Sequence, residues 1–194
     1  MARDRAARPE AKRIRLFLAV DVPEEVRDAL ASSVAPLRDA VPGARWAPPE
    51  NWHVTLKFLG GVYPRLVGWV REQAGEAAGE SAPFLSALGA LGAFPSAGRA
   101  RVLWVGLDDP AGRLAALAEA LDRRLEREFP PERRPFSAHL TVARMRQQVA
   151  LDESVLQTLV PSEPFEIREL VVYRSHLGRP HARYEALERF PLGR

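Results

Sequence analysis

At 194 residues the chain is long enough to bury a core as one domain or two packed lobes, and 46% hydrophobic with 27% charged residues is a soluble, globular composition. Cys is absent, which excludes disulfides, thiolate nucleophiles and cysteine metal sites and leaves His, carboxylates and hydroxyls to carry any chemistry. The net charge of +3 permits a polyanionic partner without demanding one.

Lys12 and Lys57 are the only lysines, so nearly every cation is arginine. Its planar fork suits phosphate, although a genome rich in G and C favours it too. No window reaches the roughly 18 uninterrupted apolar residues of a membrane span, and residues 1–13 lack the apolar core of a signal peptide. A cytoplasmic location is the expectation.

Residues 1–13 are polar and aperiodic and read as a flexible leader. From Ile14 a run of buried-strand type, Leu16 to Val20, leads to Asp21-Val22-Pro23-Glu24-Glu25, where proline and acids suit a helix start. Val26, Leu30, Val34 and Leu37 then predict a helix to about Leu37, with one face on a sheet. The next strand carries His53-Val54-Thr55, and a helical stretch and a strand from Phe84 follow.

The second half repeats this order. A strand over 102–107 precedes Asp108-Asp109-Pro110, a helix with Leu114, Leu117, Leu121 and Leu125 on one stripe, a strand with His139-Leu140-Thr141, and a strand from Phe165. Asp21 aligns with Asp108 and Pro23 with Pro110 at an offset of 87, His53 with His139 at 86. A final strand over about 183–190 closes the chain. The pattern predicts an α+β fold as a bilobal internal repeat: two mainly antiparallel sheets, a pseudo-twofold, helices on the outer faces and an active-site cleft between lobes. The repeat halves run over about 14–98 and 101–178. A monomer is expected, because the repeat already supplies the twofold that a dimer would provide.

Four histidines and three threonines give about 0.06 His-x-Thr triplets by random placement; there are two, at equivalent repeat positions. Side chains alternate on a strand, so His53 and Thr55 share one face, as do His139 and Thr141. Each pair combines an imidazole that moves protons near neutral pH with a hydroxyl that hydrogen-bonds a phosphoryl oxygen. Two such units facing one phosphate supply a base, an acid and two anchors, as hydrolysis of a cyclic phosphodiester requires. Lys57 shares the histidine's face if the strand stays regular, whereas Arg144, five residues past His139, needs a bulge to do so. Trp52 and Phe58 flank the first motif and suit either a nucleobase or the core. Zinc is disfavoured by the absent Cys and His-Glu-x-x-His spacing, and His176 and His181 are expected to face solvent.

The chain resembles the RNA 2′,3′-cyclic phosphodiesterases, first described as 2′-5′ RNA ligases, of the two-histidine phosphoesterase superfamily. The resemblance rests on residues 15–20 (RLFLAV), 46–60 (WAPPENWHVTLKFLG), 92–95 (GAFP), 138–144 (AHLTVAR) and 173–178 (YRSHLG). It implies hydrolysis of RNA 2′,3′-cyclic phosphate ends to 2′-phosphates without metal or nucleotide cofactor, and, in reverse, 2′-5′ joining. It further implies His53 as proton donor to the leaving 3′-oxygen, His139 as proton acceptor from water, Thr55, Thr141 and Arg144 on the phosphate, and Phe58 near the terminal base. Ala138 departs from the family, where proline is common. Two other readings use the same cleft: a non-catalytic RNA- or nucleotide-binding module, and a phosphodiesterase for small cyclic nucleotides.

Overall fold

A computed structural model describes residues 12–179 and 181–193. Of the expected leader over 1–13, residues 1–11 lie outside them; Arg13, at its end, stacks on Tyr63 at 4.3 Å and donates to the Tyr63 hydroxyl at 2.5 Å. In chain order the elements are β1 (Ile14–Asp21), α1 (Glu24–Val34), α2 (Leu37–Ala40), β2 (Arg45–Trp46), β3 (His53–Val62), α3 (Val67–Gly79), β4 (Phe84–Phe94), β5 (Ala100–Asp108), α4 (Arg113–Leu125), β6 (His139–Val149), α5 (Glu153–Leu156), β7 (Phe165–Ile167), β8 (Glu169–His176) and β9 (Arg183–Pro191). The first helix stops at Val34 rather than Leu37. Pro36 lacks an amide N–H and crowds the turn before it, so the helix breaks and resumes as the short α2. At the start of α4, Asp109 accepts from the backbone N–H groups of Arg113 (2.7 Å) and Leu114 (2.8 Å), satisfying donors that a helix start leaves free.

Among the described residues the strands form one antiparallel path, β7-β4-β5-β6-β3-β1-β8-β9, with β2 added against β6. The two sheets expected from the repeat are the two arms of this path. They meet between the motif strands at one ladder pair, Val54 with Leu140. The sequence halves are not the spatial arms. β4, from the first half, pairs with β5 of the second, while β8, from the second half, pairs with β1 of the first. A five-residue connection makes β4 and β5 a hairpin, and sequential strands pair antiparallel most easily. β8 therefore stands where the repeat reading places the strand from Phe165, and β7 instead pairs with β4.

Alternation along the central strands divides the sheet into two faces. Leu16, Leu18, Val20, Val54, Leu103, Val105, Leu140 and Val142 are buried and belong to one core with Leu30 and Val34 of α1, Val70 and Ala74 of α3, and the four stripe leucines of α4. Each such Leu contributes about 1.5–3 kcal/mol on burial. With the helices on this face, the opposite face of β3 and β6 is left as one wall of a cleft. No helix among the described residues is long and apolar enough to cross a membrane.

Candidate active site

His53 and Thr55 of β3 and His139 and Thr141 of β6 line one cleft of about 670 Å³. The single pair Val54 with Leu140 explains the convergence. Both of these are buried in the core, so their neighbours on either side point the other way, and one step along the antiparallel register sets His53 beside Thr141 and Thr55 beside His139. Each histidine thus stands across the joint from the threonine of the other motif. Ala138, the departure before the second motif, leaves the strand entry anchored: its carbonyl accepts from the Leu107 N–H at 3.1 Å.

Beyond the threonines the strands stop alternating. In the β1–β3 ladder, Ala19 faces Thr55 but Leu18 faces Lys57, leaving Leu56 as an extra residue. In the β5–β6 ladder, Trp104 faces Thr141 but Leu103 faces Ala143, leaving Val142 extra. Each bulge shifts the following residues by one, so parity fails on both strands. Lys57, expected on the histidine's face, is instead 5% exposed on the helix side, where it pairs with Asp122 of α4 and donates to the Pro130 carbonyl at 2.8 Å. The fifth residue after each histidine then turns into the cleft: Phe58, 56% exposed, and Arg144. Phe58 and Arg144 are therefore the equivalent pair. Trp52 is buried and belongs to the core.

Each imidazole is tethered at the same point, by a hydrogen bond to the carbonyl two residues earlier: Ser137 for His139, through Nδ1 at 2.7 Å, and Asn51 for His53. A carbonyl only accepts, so the tethered ring nitrogen carries a proton and the other is free for the cleft. The rings are also packed. Phe17 stacks on His53 with centroids 4.7 Å apart and is itself stacked by Tyr173 at 5.2 Å, while Tyr184 meets His53 edge-on at 5.1 Å. Around His139, Phe94 and Trp104 stand edge-on at 5.1 and 6.1 Å. Gly92 makes room there, since a Cβ would lie 2.2 Å from the Trp104 ring. Burial pushes His53 down to about 4; the charge of Asp21 and the Asn51 carbonyl act against it, and Arg144 and His139 with it.

Several cleft residues are additional to the candidates read from the sequence. Arg45, on the two-residue β2, stands directly across from Arg144, and both line the cleft. Like charges at facing strand positions repel, and an anion between them removes that cost. Arg15, Phe17 and Tyr184 also line it. Phe17 was readable by parity, because positions 17, 19 and 21 share a face; Tyr184 comes from the closing strand and had no such signal. Of the other histidines, His181 is exposed at the cleft, and His176 hydrogen-bonds Glu185 at 2.6 Å. Among the described residues no three His, Cys, Asp or Glu side chains converge as metal ligands.

The sequence model of the LigT-like phosphoesterase family matches the chain twice, over residues 20–104 and 105–184. The chain belongs to the LigT-like phosphoesterase family. The double match follows the two motif-bearing repeats, with His53 in the first and His139 in the second. The RNA 2′,3′-cyclic phosphodiesterase of Geobacillus stearothermophilus is 31% identical over 183 residues, which is 93% of this chain and 58% of that relative. The chain thus spans less than two thirds of that protein's length. The crystal structure of TT0787 of Thermus thermophilus superposes with a TM-score of 0.81 at 28% identity, covering 92% of this chain and 98% of that one. Escherichia coli LigT complexed with 3′-AMP gives 0.75 at 27% identity, covering 94% and 99%. Membership of the LigT-like family fixes the α+β fold with its doubled repeat, and the features described above are how this chain builds it.

Proposed function

We propose that this protein is an RNA 2′,3′-cyclic phosphodiesterase that opens the terminal cyclic phosphate to a 2′-phosphate without metal. The observation that carries the reading is the joint at Val54 and Leu140, which brings two tethered imidazoles and two threonine hydroxyls onto one cleft wall. His139 takes a proton from water, whose oxygen attacks phosphorus. The phosphorus to 3′-oxygen bond breaks, and His53 gives its proton to that leaving oxygen. Thr55 and Thr141 hold the non-bridging oxygens, and Arg144 neutralises their charge. Phe58 lies further out, under the guanidinium of Arg15 at 5.4 Å, as a platform for the terminal base.

The electrostatics support this division of labour. Burial favours the neutral form of His53, and an incoming phosphodiester anion acts in the same sense as Asp21, favouring the imidazolium that a donor requires. The donor is charged by the substrate it serves. A monomer is proposed, the repeat supplying the twofold within one chain, working in the cytoplasm.

The test is to incubate the protein, in EDTA, with an oligoribonucleotide ending in a 2′,3′-cyclic phosphate and to identify the terminus formed. A 2′-phosphate product that disappears in the His53→Ala and His139→Ala variants is the expected result. Binding without conversion would instead mark a non-catalytic RNA module, and conversion confined to mononucleotides a small-molecule phosphodiesterase.

A further inference from the structure

The two motif strands match position by position: tethered histidine, threonine, bulge and cleft residue. A proton-transfer pair nevertheless needs its members unequal, one charged and one neutral. Across the ladder from the histidines the match fails. Asp21 is the partner of His53, and Gly106 is the partner of His139. Ladder partners project on the same face with Cβ atoms about 4.5–5.5 Å apart. Asp21 and His53 accordingly share a second, polar cavity of about 240 Å³ behind the cleft.

Asp21 is held firmly. The Tyr173 hydroxyl donates to its two carboxylate oxygens at 2.7 and 2.9 Å, and Arg189 donates at 2.8 Å. Burial and the adjacent carboxylate hold the Tyr173 phenol above its ordinary range, so it stays a donor. Arg189 does not cancel the carboxylate alone, because it also serves Glu169 at 3.2 Å. The other ionisable groups around His53 are Arg27 of α1 and Glu50 of the preceding turn, opposite in sign in that cavity, Tyr184 of β9, and Arg144 and His139 across the joint. Burial acts most strongly on His53 and disfavours the imidazolium, as do Arg144 and His139; among the charged groups Asp21 is the one that supports it.

We propose that Asp21 is the positioning residue that makes the two matched histidines unequal, placing the shared proton on His53 and so fixing it as donor. It lines the cavity it shares with His53 and is not among the residues that line the main cleft. This rests on the two-histidine reading above, and it adds what the repeat symmetry alone leaves undecided: which imidazole carries the proton.

Asp21→Asn keeps the shape and an acceptor for Tyr173 while removing the charge. The primary measurement is NMR titration of both imidazoles in saturating inorganic phosphate, which needs no turnover and stands even if the cyclic-phosphate assay fails. The midpoint of His53 is expected to fall by about one pH unit in Asp21→Asn, as for loss of a nearby opposite charge, with little change at His139. In turnover of cyclic-phosphate RNA, the basic limb of kcat moves to lower pH by a similar amount. Tyr173→Phe, which spares both ring and carboxylate, leaves the His53 midpoint near that of the unaltered protein. An unmoved His53 midpoint in Asp21→Asn, or an equal shift in Tyr173→Phe, overturns the proposal. Should Asp21→Asn not fold, Arg189→Gln decides instead: it removes the competing cation and is expected to raise the His53 midpoint, and a fall or no change contradicts the role of Asp21.

Discussion

The His53 and His139 regions are built alike and furnished differently. Both motif strands carry a histidine tethered to the carbonyl two residues before it, a threonine on the same face, and a bulge that delivers the fifth residue to the cleft. Around His53 the companions are Asp21, Phe17, Tyr173 and Tyr184, and the delivered residue is the aromatic Phe58. Around His139 they are Phe94 and Trp104, and the delivered residue is Arg144. Repetition thus supplies a pair of cleft-facing histidines, while divergence at a few equivalent positions furnishes the two sides differently; under the proposed function, one side serves the nucleobase and the proton donor and the other the phosphate charge. The backbone, bulge included, is what the repeat preserves.

The largest effects should treat the halves as equals. His53→Ala and His139→Ala are each expected to lower kcat by about 10²- to 10⁴-fold, the range for one proton transfer, with circular dichroism unchanged. The double variant should lose much less than the product of the two, because each transfer is useless without the other. Nearly multiplicative losses would mean that the histidines serve separate events.

A second comparison sets Lys57 against Ala143, which occupy the same place behind their bulges. Only the first is an ion, buried against Asp122. Lys57→Ala removes the cation from Asp122, which is 22% exposed and keeps the Glu132 N–H at 2.9 Å, and leaves the Pro130 carbonyl without its donor; it is expected to cost about 1–3 kcal/mol in chemical denaturation, whereas Ala143→Ser, at a site with no ion pair, should cost less. A Lys57→Ala protein of normal stability but lost turnover would return Lys57 to the cleft.

The two delivered residues can be separated next. Arg144→Gln is expected to raise KM by about 10- to 100-fold, the equivalent of a lost charge-assisted hydrogen bond, and to flatten the salt dependence of KM. Phe58→Ala should raise KM by a smaller factor, leave the salt dependence alone, and change the preference among terminal bases. An Arg144→Gln protein with unaltered salt dependence would remove Arg144 from the phosphate.

The smallest effect concerns pH and the fold. Burial pushes His53 down to about 4 in the folded protein from its ordinary value near 6.5, so the unfolded chain binds the proton first as pH falls. The contribution of a neutral, buried His53 is fully present above pH 6.5 and is lost as pH drops towards 4, on the order of 1–3 kcal/mol after allowance for water in the cleft. Thermal melts of His53→Asn should show a shallower decline over that window than the unaltered protein. Parallel declines would place the His53 ring in a more solvated setting.

Much of this was legible in the residues. The doubled His-x-Thr, the strand periodicity and the Leu stripe of α4 are local patterns whose physics is set within a few positions, and they pointed to the strands, the fold class and the pair of histidines. Lys57 was misplaced because strand parity assumes an unbroken pleat, and a bulge has no composition of its own in Thr55-Leu56-Lys57 or Thr141-Val142-Ala143. The alignment of Asp21 with Asp108 put like with like by identity, whereas the ladders set Asp21 against Gly106. That two-residue slip keeps the inward face but hides the one asymmetry at the histidines. The exchange of β4 and β8 between arms, the place of Arg45, and the Tyr173 and Arg189 hold on Asp21 depend on chain segments far apart in sequence, which no local pattern reports.

The central claim is that one phosphate meets both imidazoles, and a crystal structure with inorganic phosphate bound tests it most directly. The expected result is a single phosphate in the cleft within hydrogen-bond distance of a ring nitrogen of His53, a ring nitrogen of His139 and the hydroxyls of Thr55 and Thr141. A phosphate that reaches only one histidine, or that settles elsewhere with the cleft accessible, would contradict it.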